Sequence, residues 1–269
     1  MNWFENVLKF LDAKMVEPTP YGWFHLLSVA FVIGLIVLVC FTCKKLSDKS
    51  FRIICFATAG IMILFEVYKQ LNYSFNSSTG VWDYQWYAFP FQFCSTPMYV
   101  LLLAGLTKGK FQEFLCSFLA TFGLFAGLAV MVLPTTVFVE TIGINIQTML
   151  HHGLMIVIGV FMFVSGRSKL NYKTVFKGLS VFAILVVMAY IGNVLFHKFG
   201  NGETFNMFFI SPYHNSELIL LQDIQNVVPH FIFVVAYFVG FTLAAYIILL
   251  FAILIGKLVK SKNSLIKYL

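Results

Sequence analysis

Charge is scarce in this sequence: 11% of its residues are Asp, Glu, Lys or Arg, against 60% hydrophobic, and the mean hydropathy is +0.87. A water-soluble domain carries nearer a quarter charged residues, so that class is excluded. No water-facing core could hide this much apolar surface, and the solvent must be lipid. Cysteine offers no framework. Cys40, Cys43, Cys55, Cys94 and Cys116 lie in or beside apolar runs, without zinc-ribbon or disulfide context. The Cys40-x-x-Cys43 pair ends a span with no thioredoxin-like pattern around it and reads as small apolar packing. No basic region precedes a short apolar core at the start, so no cleavable signal peptide is expected.

Other absences narrow the function. No span has a His-x-x-x-His pair, which argues against a zinc hydrolase despite six His. The last span, Val228 to Gly256, has no Lys to form a retinal Schiff base. Alternating-access transporters commonly show internal repeats, and none is found. No polar segment is long enough to build a cationic groove, so the net charge of +7 does not imply nucleic acid. Neither a metal nor another cofactor is expected.

What is present is a set of long apolar runs. Seven reach the roughly 20 residues a membrane helix needs, approximately over 21–43, 51–72, 87–107, 111–133, 146–166, 174–197 and 228–256. The expected fold is all-α, a single transmembrane domain over 1–269, with a short amphipathic interfacial helix at 2–14. Gly123 and Gly127 form a G-x-x-x-G suited to close helix packing. The aromatic residues, 32 Phe and 12 Tyr among them, fit belts at the rims of a bundle. Residues 198–227, with Gly200, Gly202 and Pro212 as breakers, read as the largest water-facing segment.

Basic residues orient the bundle. Lys44, Lys45, Lys49 and Arg52 fall in the first loop, Lys108 and Lys110 in the third, and Arg167, Lys169, Lys173 and Lys177 in the fifth. Lys257, Lys260, Lys262 and Lys267 fall in the tail. These loops belong on the cytoplasmic side. Glu5, Asp12, Glu17, Asp83, Glu140, Glu203, Glu217 and Asp223 fall on the other. The N-terminus is therefore expected outside and the C-terminus inside, in a multi-pass plasma-membrane protein.

Polar residues within the spans gather at one depth. His25 opens the first span; Glu66, Lys69 and Gln70 lie near the outer end of the second, and Gln92 and Cys94 near that of the third. His151 and His152 follow in the fifth, Asn193 and His197 close the sixth, and His230 opens the seventh. Intramembrane polar groups are costly and usually face one another, which implies a shared polar cavity beneath the outer surface. His152 is the candidate general base, with Gln92 positioning substrate or stabilising an oxyanion, Glu66 orienting a His, and Cys94 a nucleophile if a base is near. His151, Asn193, His25 and His230 are candidate substrate contacts. Snorkelling to the interface is the competing account for His25, His197 and His230.

Phe89-Pro90-Phe91-Gln92-Phe93-Cys94, then Leu150-His151-His152-Gly153-Leu154, Asn193, Gly200–Phe209 and Ser211-Pro212 make an ordered series. In order and spacing the series resembles the YwaF-type integral membrane proteins of bacteria, related to the transmembrane protein 164 family of animals. The resemblance runs from the second span onward. It implies a lipid-facing role, since the animal relatives are regarded as phospholipid acyltransferases with a Cys-His pair directly after a Pro. They are thought to share an architecture with the androgen-induced membrane lipid hydrolases. Here the Pro is Pro90, but Phe91 stands at the Cys position and Gln92 at the His position; bacterial members of the pattern keep that His. The span-five His is kept as His152 or His151. The expected function is therefore an outward-facing polar cavity for a membrane phospholipid or acyl-chain substrate. The chain would be a lipid acyltransferase or hydrolase, or a relative that has lost the Cys-His pair. A small-solute transporter or binding protein and a non-catalytic scaffold are the alternatives.

Overall fold

A computed structural model describes residues 3–200, 203–218 and 221–266. Asn2, Gly202 and Lys267 lie outside the described residues. The described chain is all-α, with no strand. It contains α1 (Trp3–Leu11), α2 (Trp23–Thr42), α3 (Asp48–Ser74), α4 (Thr96–Leu106), α5 (Gly109–Phe118) and α6 (Leu124–Val132). They are followed by α7 (Ile142–Val164), α8 (Lys173–Phe199), α9 (Leu221–Val227) and α10 (His230–Ile266). A π-helical turn at Leu119–Gly123 joins α5 and α6 into one continuous rod. With that rod, six helices are long and apolar enough to cross a membrane.

Local chemistry sets the boundaries. Ser47 caps α3 by accepting from the Ser50 N–H at 3.1 Å, and Asp48 follows in the first turn, where a negative charge favours the helix dipole. Pro97 sits in the first turn of α4, where its missing N–H costs nothing. It starts that helix instead of kinking it. The tight joint between α4 and α5 is made by Gly109 at φ +69°, a conformation that penalises side chains.

The stretch 87–107 differs from the expected kinked span. Only its second half, α4, is α-helix, and 11 residues at 1.5 Å each reach roughly 16 Å. The first half is a 3₁₀ turn at Trp86–Ala88 followed by irregular backbone. The two close prolines, Pro90 and Pro97, each remove a backbone donor and bias the preceding residue away from the helical region. Irregular backbone is tolerable at membrane depth only where protein encloses it. Accordingly Phe93, Ser95 and Thr96 are buried.

The segment after α8 also differs. Phe205, Asn206, Met207, Phe208, Ile210 and Ser211 are buried instead of facing water. Phe208 and Phe209 adopt φ of +59° and +55°, a strained conformation for a bulky residue, and the surroundings must hold it. The Phe208 ring packs on Phe91 and Phe93 at centroid distances of 5.9 and 5.6 Å. The sequence cue of Gly and Pro breakers is real, but apolar residues between them turn the segment inward.

The core is aromatic. Phe51, Phe118, Phe122, Phe161, Phe182, Phe233 and Tyr237 are fully buried, so many aromatics fill the bundle centre instead of its rim. Phe122 stacks on Phe182 at 4.6 Å and Tyr237 on Phe241 at 4.3 Å. Around them, α6 and α7 approach closely. A Cβ on Gly127 would lie 2.6 Å from the His152 carbonyl oxygen, and one on Gly159 would lie 2.7 Å from Leu124 Cβ. Gly127 thus performs the packing expected of the G-x-x-x-G, whereas a Cβ on Gly123 would meet only ordinary contacts.

At one end of the bundle, Asp12 fastens the N-terminal segment. Its carboxylate accepts from Lys14 Nζ at 2.9 Å, Ser77 Oγ at 2.6 Å and Thr141 Oγ1 at 3.1 Å. Burial works against the charge, but these hydrogen bonds and the Lys14 ammonium win and hold the carboxyl below its usual range. At the opposite end Arg167 pairs with Asp48 at 2.6 Å, and Arg52 Nε donates to the Gly105 carbonyl at 2.8 Å. The first, third and fifth loops are thereby gathered together.

Candidate functional site

Glu66 lies eight residues from the end of α3 and His151 nine from the start of α7. At 1.5 Å per residue, both are roughly 12–14 Å in from the end that carries Asp12. Both are buried. Glu66 Oε1 accepts from Lys69 Nζ at 2.8 Å and from Gln70 Nε2 at 2.9 Å. The i, i+3 and i+4 spacing places these three on one face of α3. Gln70 Nε2 also donates to the Ala88 carbonyl at 2.6 Å, and the Tyr84 hydroxyl donates to Gln70 Oε1 at 2.8 Å. Burial first, and the Glu66 charge second, hold the Tyr84 phenol above its usual range, which keeps it a donor.

The histidines are fixed in opposite senses. His151 Nε2 lies 3.0 Å from the Cys94 carbonyl oxygen, and His152 Nδ1 lies 2.8 Å from the Thr148 carbonyl oxygen. A carbonyl can only accept, so each of these nitrogens carries the proton. The other nitrogen of each neutral ring is then an acceptor: Nδ1 of His151 and Nε2 of His152. His151 Nδ1 is buried without a hydrogen-bond partner. The two rings are 5.7 Å apart. The Lys69 charge acts on Cys94, His151 and His152 alike, and that of Glu66 acts on Cys94. Glu66, Cys94, His151 and His152 thus share one electrostatic neighbourhood, built from α3, α7 and the irregular segment before α4.

Other candidates are engaged elsewhere. Gln92 grips the buried segment after α8: Nε2 donates to the Asn206 carbonyl at 3.0 Å, and Oε1 accepts from the Phe208 N–H at 2.9 Å. Asn193 does the same from α8, bonding the Met207 carbonyl at 3.0 Å and N–H at 2.7 Å. Both side chains satisfy backbone that no helix or sheet could satisfy, and they hold the strained Phe208 in place. His25 accepts from the Tyr21 N–H at 3.1 Å and lies 2.9 Å from the Met131 carbonyl, closing the last turn of α6. His230 stacks on Tyr190 at 6.0 Å, with Nε2 buried and unpartnered. His197 stacks on Tyr213 at 3.5 Å.

Lys69 belongs to the expected polar set but carries no expected role there, while Gln147 and Tyr237 stand outside that set. Lys69 supplies the only positive charge among the residues of this cluster, and its i+3 spacing from Glu66 was visible. Gln147, buried one turn before His151 on the same helix face, could have been found from i, i+4 spacing. Tyr237 has a buried hydroxyl without a partner, and its electrostatic neighbour is Cys94. Its place among the apolar residues of the last span, which also holds Tyr246, offers no signal in sequence.

Among the described residues, no three His, Cys, Asp or Glu converge as a metal-binding group. An open cleft of about 400 Å³ lies at the opposite end, beside Asp48, Lys49, Arg52, Ile53, Phe56 and Lys108. No curated protein and no solved structure matches the chain significantly. The model of the TMEM164 family, however, matches residues 19–255, from the turn before α2 into α10 and including every residue of the cluster. This chain belongs to the TMEM164 family.

Proposed function

We propose that this membrane protein binds an acyl lipid at the Glu66–Cys94–His151–His152 cluster and acts there on the acyl ester, as a lipid acyltransferase or hydrolase. The observation that carries the reading is the pair of adjacent histidines. Each is pinned through one nitrogen to a backbone carbonyl and leaves the other nitrogen's lone pair open. A general base requires both an oriented ring and an open lone pair. In this reading His152 Nε2 takes the proton of the attacking group, either the Cys94 thiol or a water. The acyl carbonyl is attacked, and the departing lipid oxygen recovers the proton. Glu66 and Lys69 set the local field, and the orphaned His151 Nδ1 accepts from a substrate hydroxyl. Asn193 and Gln92 act through the segment they clamp.

Seven bilayer crossings belong to the same proposal. The α3 helix leaves the basic end at Asp48, yet Gly105 returns to bond Arg52 beside it. The irregular segment plus α4 would then supply the seventh crossing. With the basic loops cytoplasmic, the N-terminus and the cluster face outward in the plasma membrane.

A second reading has its own support. Phe91 and Gln92 replace the reactive pair implied by the family resemblance, and both ends of the Gln92 amide are already committed to backbone. Lipid would then be held without turnover. Lipid profiles of cells lacking the chain, complemented with wild type or His152→Ala, separate the two. Catalysis predicts that only wild type restores the profile. Equal restoration by both would remove it.

A further inference from the structure

The basic end of the bundle contains a second polar feature that the cluster does not use. The cleft there is walled by α3 and the turn between α4 and α5. Lys49, Arg52 and Lys108 line it, and Asp48 is the one carboxylate among its lining residues. That carboxylate is already spoken for: Arg167 pairs with it at 2.6 Å, and the charges of Lys108 and Arg52 also reach it. Arg52 spends only Nε, on the Gly105 carbonyl, so its two terminal amino groups remain for a ligand. Three cationic residues thus border a space of about 400 Å³ whose exposed lining is mostly apolar, and with Arg167 they share a single carboxylate, Asp48, which leaves the rim net positive.

Deeper along α3 the same wall is apolar. Ile53, more than half exposed, and Phe56 form it. Both lie on α3 within three turns of Asp48, on a helix long and apolar enough to cross the membrane. A free phosphate would find no use for that wall. A phospholipid would place its phosphate against the cations and run its acyl chains down Ile53 and Phe56. Basic pockets between membrane helices on this side are suited to anionic lipid headgroups. Arginine with open terminal amino groups favours bidentate contact with phosphate oxygens.

We infer that this cleft is a binding site for an anionic phospholipid, separate from the cluster at the other end. Its occupancy ties together α3 and the α4–α5 turn. The site requires no chemistry at the histidines and stands whether or not the cluster turns over lipid.

The test uses the full-length chain purified in detergent and mixed with equal amounts of phosphatidylglycerol and phosphatidylcholine, with bound lipid counted by native mass spectrometry. Wild type should retain phosphatidylglycerol preferentially. Lys49→Gln with Lys108→Gln should reduce that preference by roughly thirtyfold, the order expected for two headgroup-proximal charges. Lys169→Gln with Lys173→Gln removes the same charge at the same end but outside the cleft, and should change little. Inorganic phosphate in millimolar excess should leave the lipid bound. No preference in wild type, equal loss in both double variants, or retention by the first would each overturn the inference. Displacement by phosphate alone would identify a free-phosphate site and overturn it as well.

Discussion

The α5–α6 rod and α7 are 72% buried over their most apolar stretches, whereas α2 and α10 are 11% buried over theirs. Yet the two outer helices are the more hydrophobic. In a soluble protein the order would be reversed. Here lipid solvates the outer helices, and the inner ones are left to carry what lipid cannot accept: His151, His152, Gln147 and the π turn. Within this bundle the most hydrophobic helices lie at the periphery, and the centre combines aromatic rings with small residues and the polar groups that lipid would reject.

The contrast is broken most severely by filling a central glycine. Gly127→Val would drive carbon atoms into the His152 carbonyl, and we expect no folded protein, a loss above about 3 kcal/mol. Gly34→Val on α2 and Gly240→Val on α10 meet nothing within 4 Å and should melt in detergent within a few degrees of wild type. A Gly127 variant with a wild-type melting curve would abolish the distinction.

Next in size is the buried ion pair. Glu66→Leu leaves the largely buried Lys69 ammonium unpaired, at a cost of about 3–5 kcal/mol. Adding Lys69→Met should restore most of the stability, because both desolvated charges are then gone. Failure of that recovery in thermal unfolding would show that Lys69 has another anion nearby. Asn193→Ala comes third. It orphans the Met207 N–H and carbonyl and should cost roughly 1–3 kcal/mol, with proteolysis appearing at residues 203–211.

The smallest effect depends on pH. The folded-state pKa of Asp12 lies below its ordinary value of 3.8, so its contribution is complete above that value and lost as pH falls through the lower folded one. Hydrogen exchange of residues 3–15 should therefore rise at acid pH in wild type. Asp12→Asn should exchange fast at neutral pH and lose that dependence.

Six long helices were legible because an apolar run of about 20 residues has few other uses. The observed α2, α3, α5–α6 and α8 begin and end within three residues of the expected spans. The depth of Glu66 and His151 could also be read, since both distances follow from helix rise. Side-chain direction could not. Gln92 and Asn193 turn to a segment 114 and 14 residues away in sequence, respectively. In sequence that segment reads as a water-facing loop, because Gly200, Gly202 and Pro212 outweigh Phe205, Met207, Phe208 and Ile210. The unwinding before α4 was signalled by Pro90 and Pro97, but spacing alone cannot separate a kink from an irregular stretch. His25 shows the same limit: a His at a span's outer end serves equally well as a backbone partner, and the Met131 carbonyl that it meets lies 106 residues away in sequence.

The proposed acyl-lipid site lies in the central, polar part of the molecule, so lipid contact there is the most direct test. Purified full-length chain should be irradiated with a phospholipid whose diazirine sits beside its ester carbonyl, and the labelled peptides mapped. Label is expected within residues 92–96 and 147–152, and it should fall when His152→Ala or Glu66→Leu is examined. Label confined to the outer faces of α2 and α10 would contradict the account.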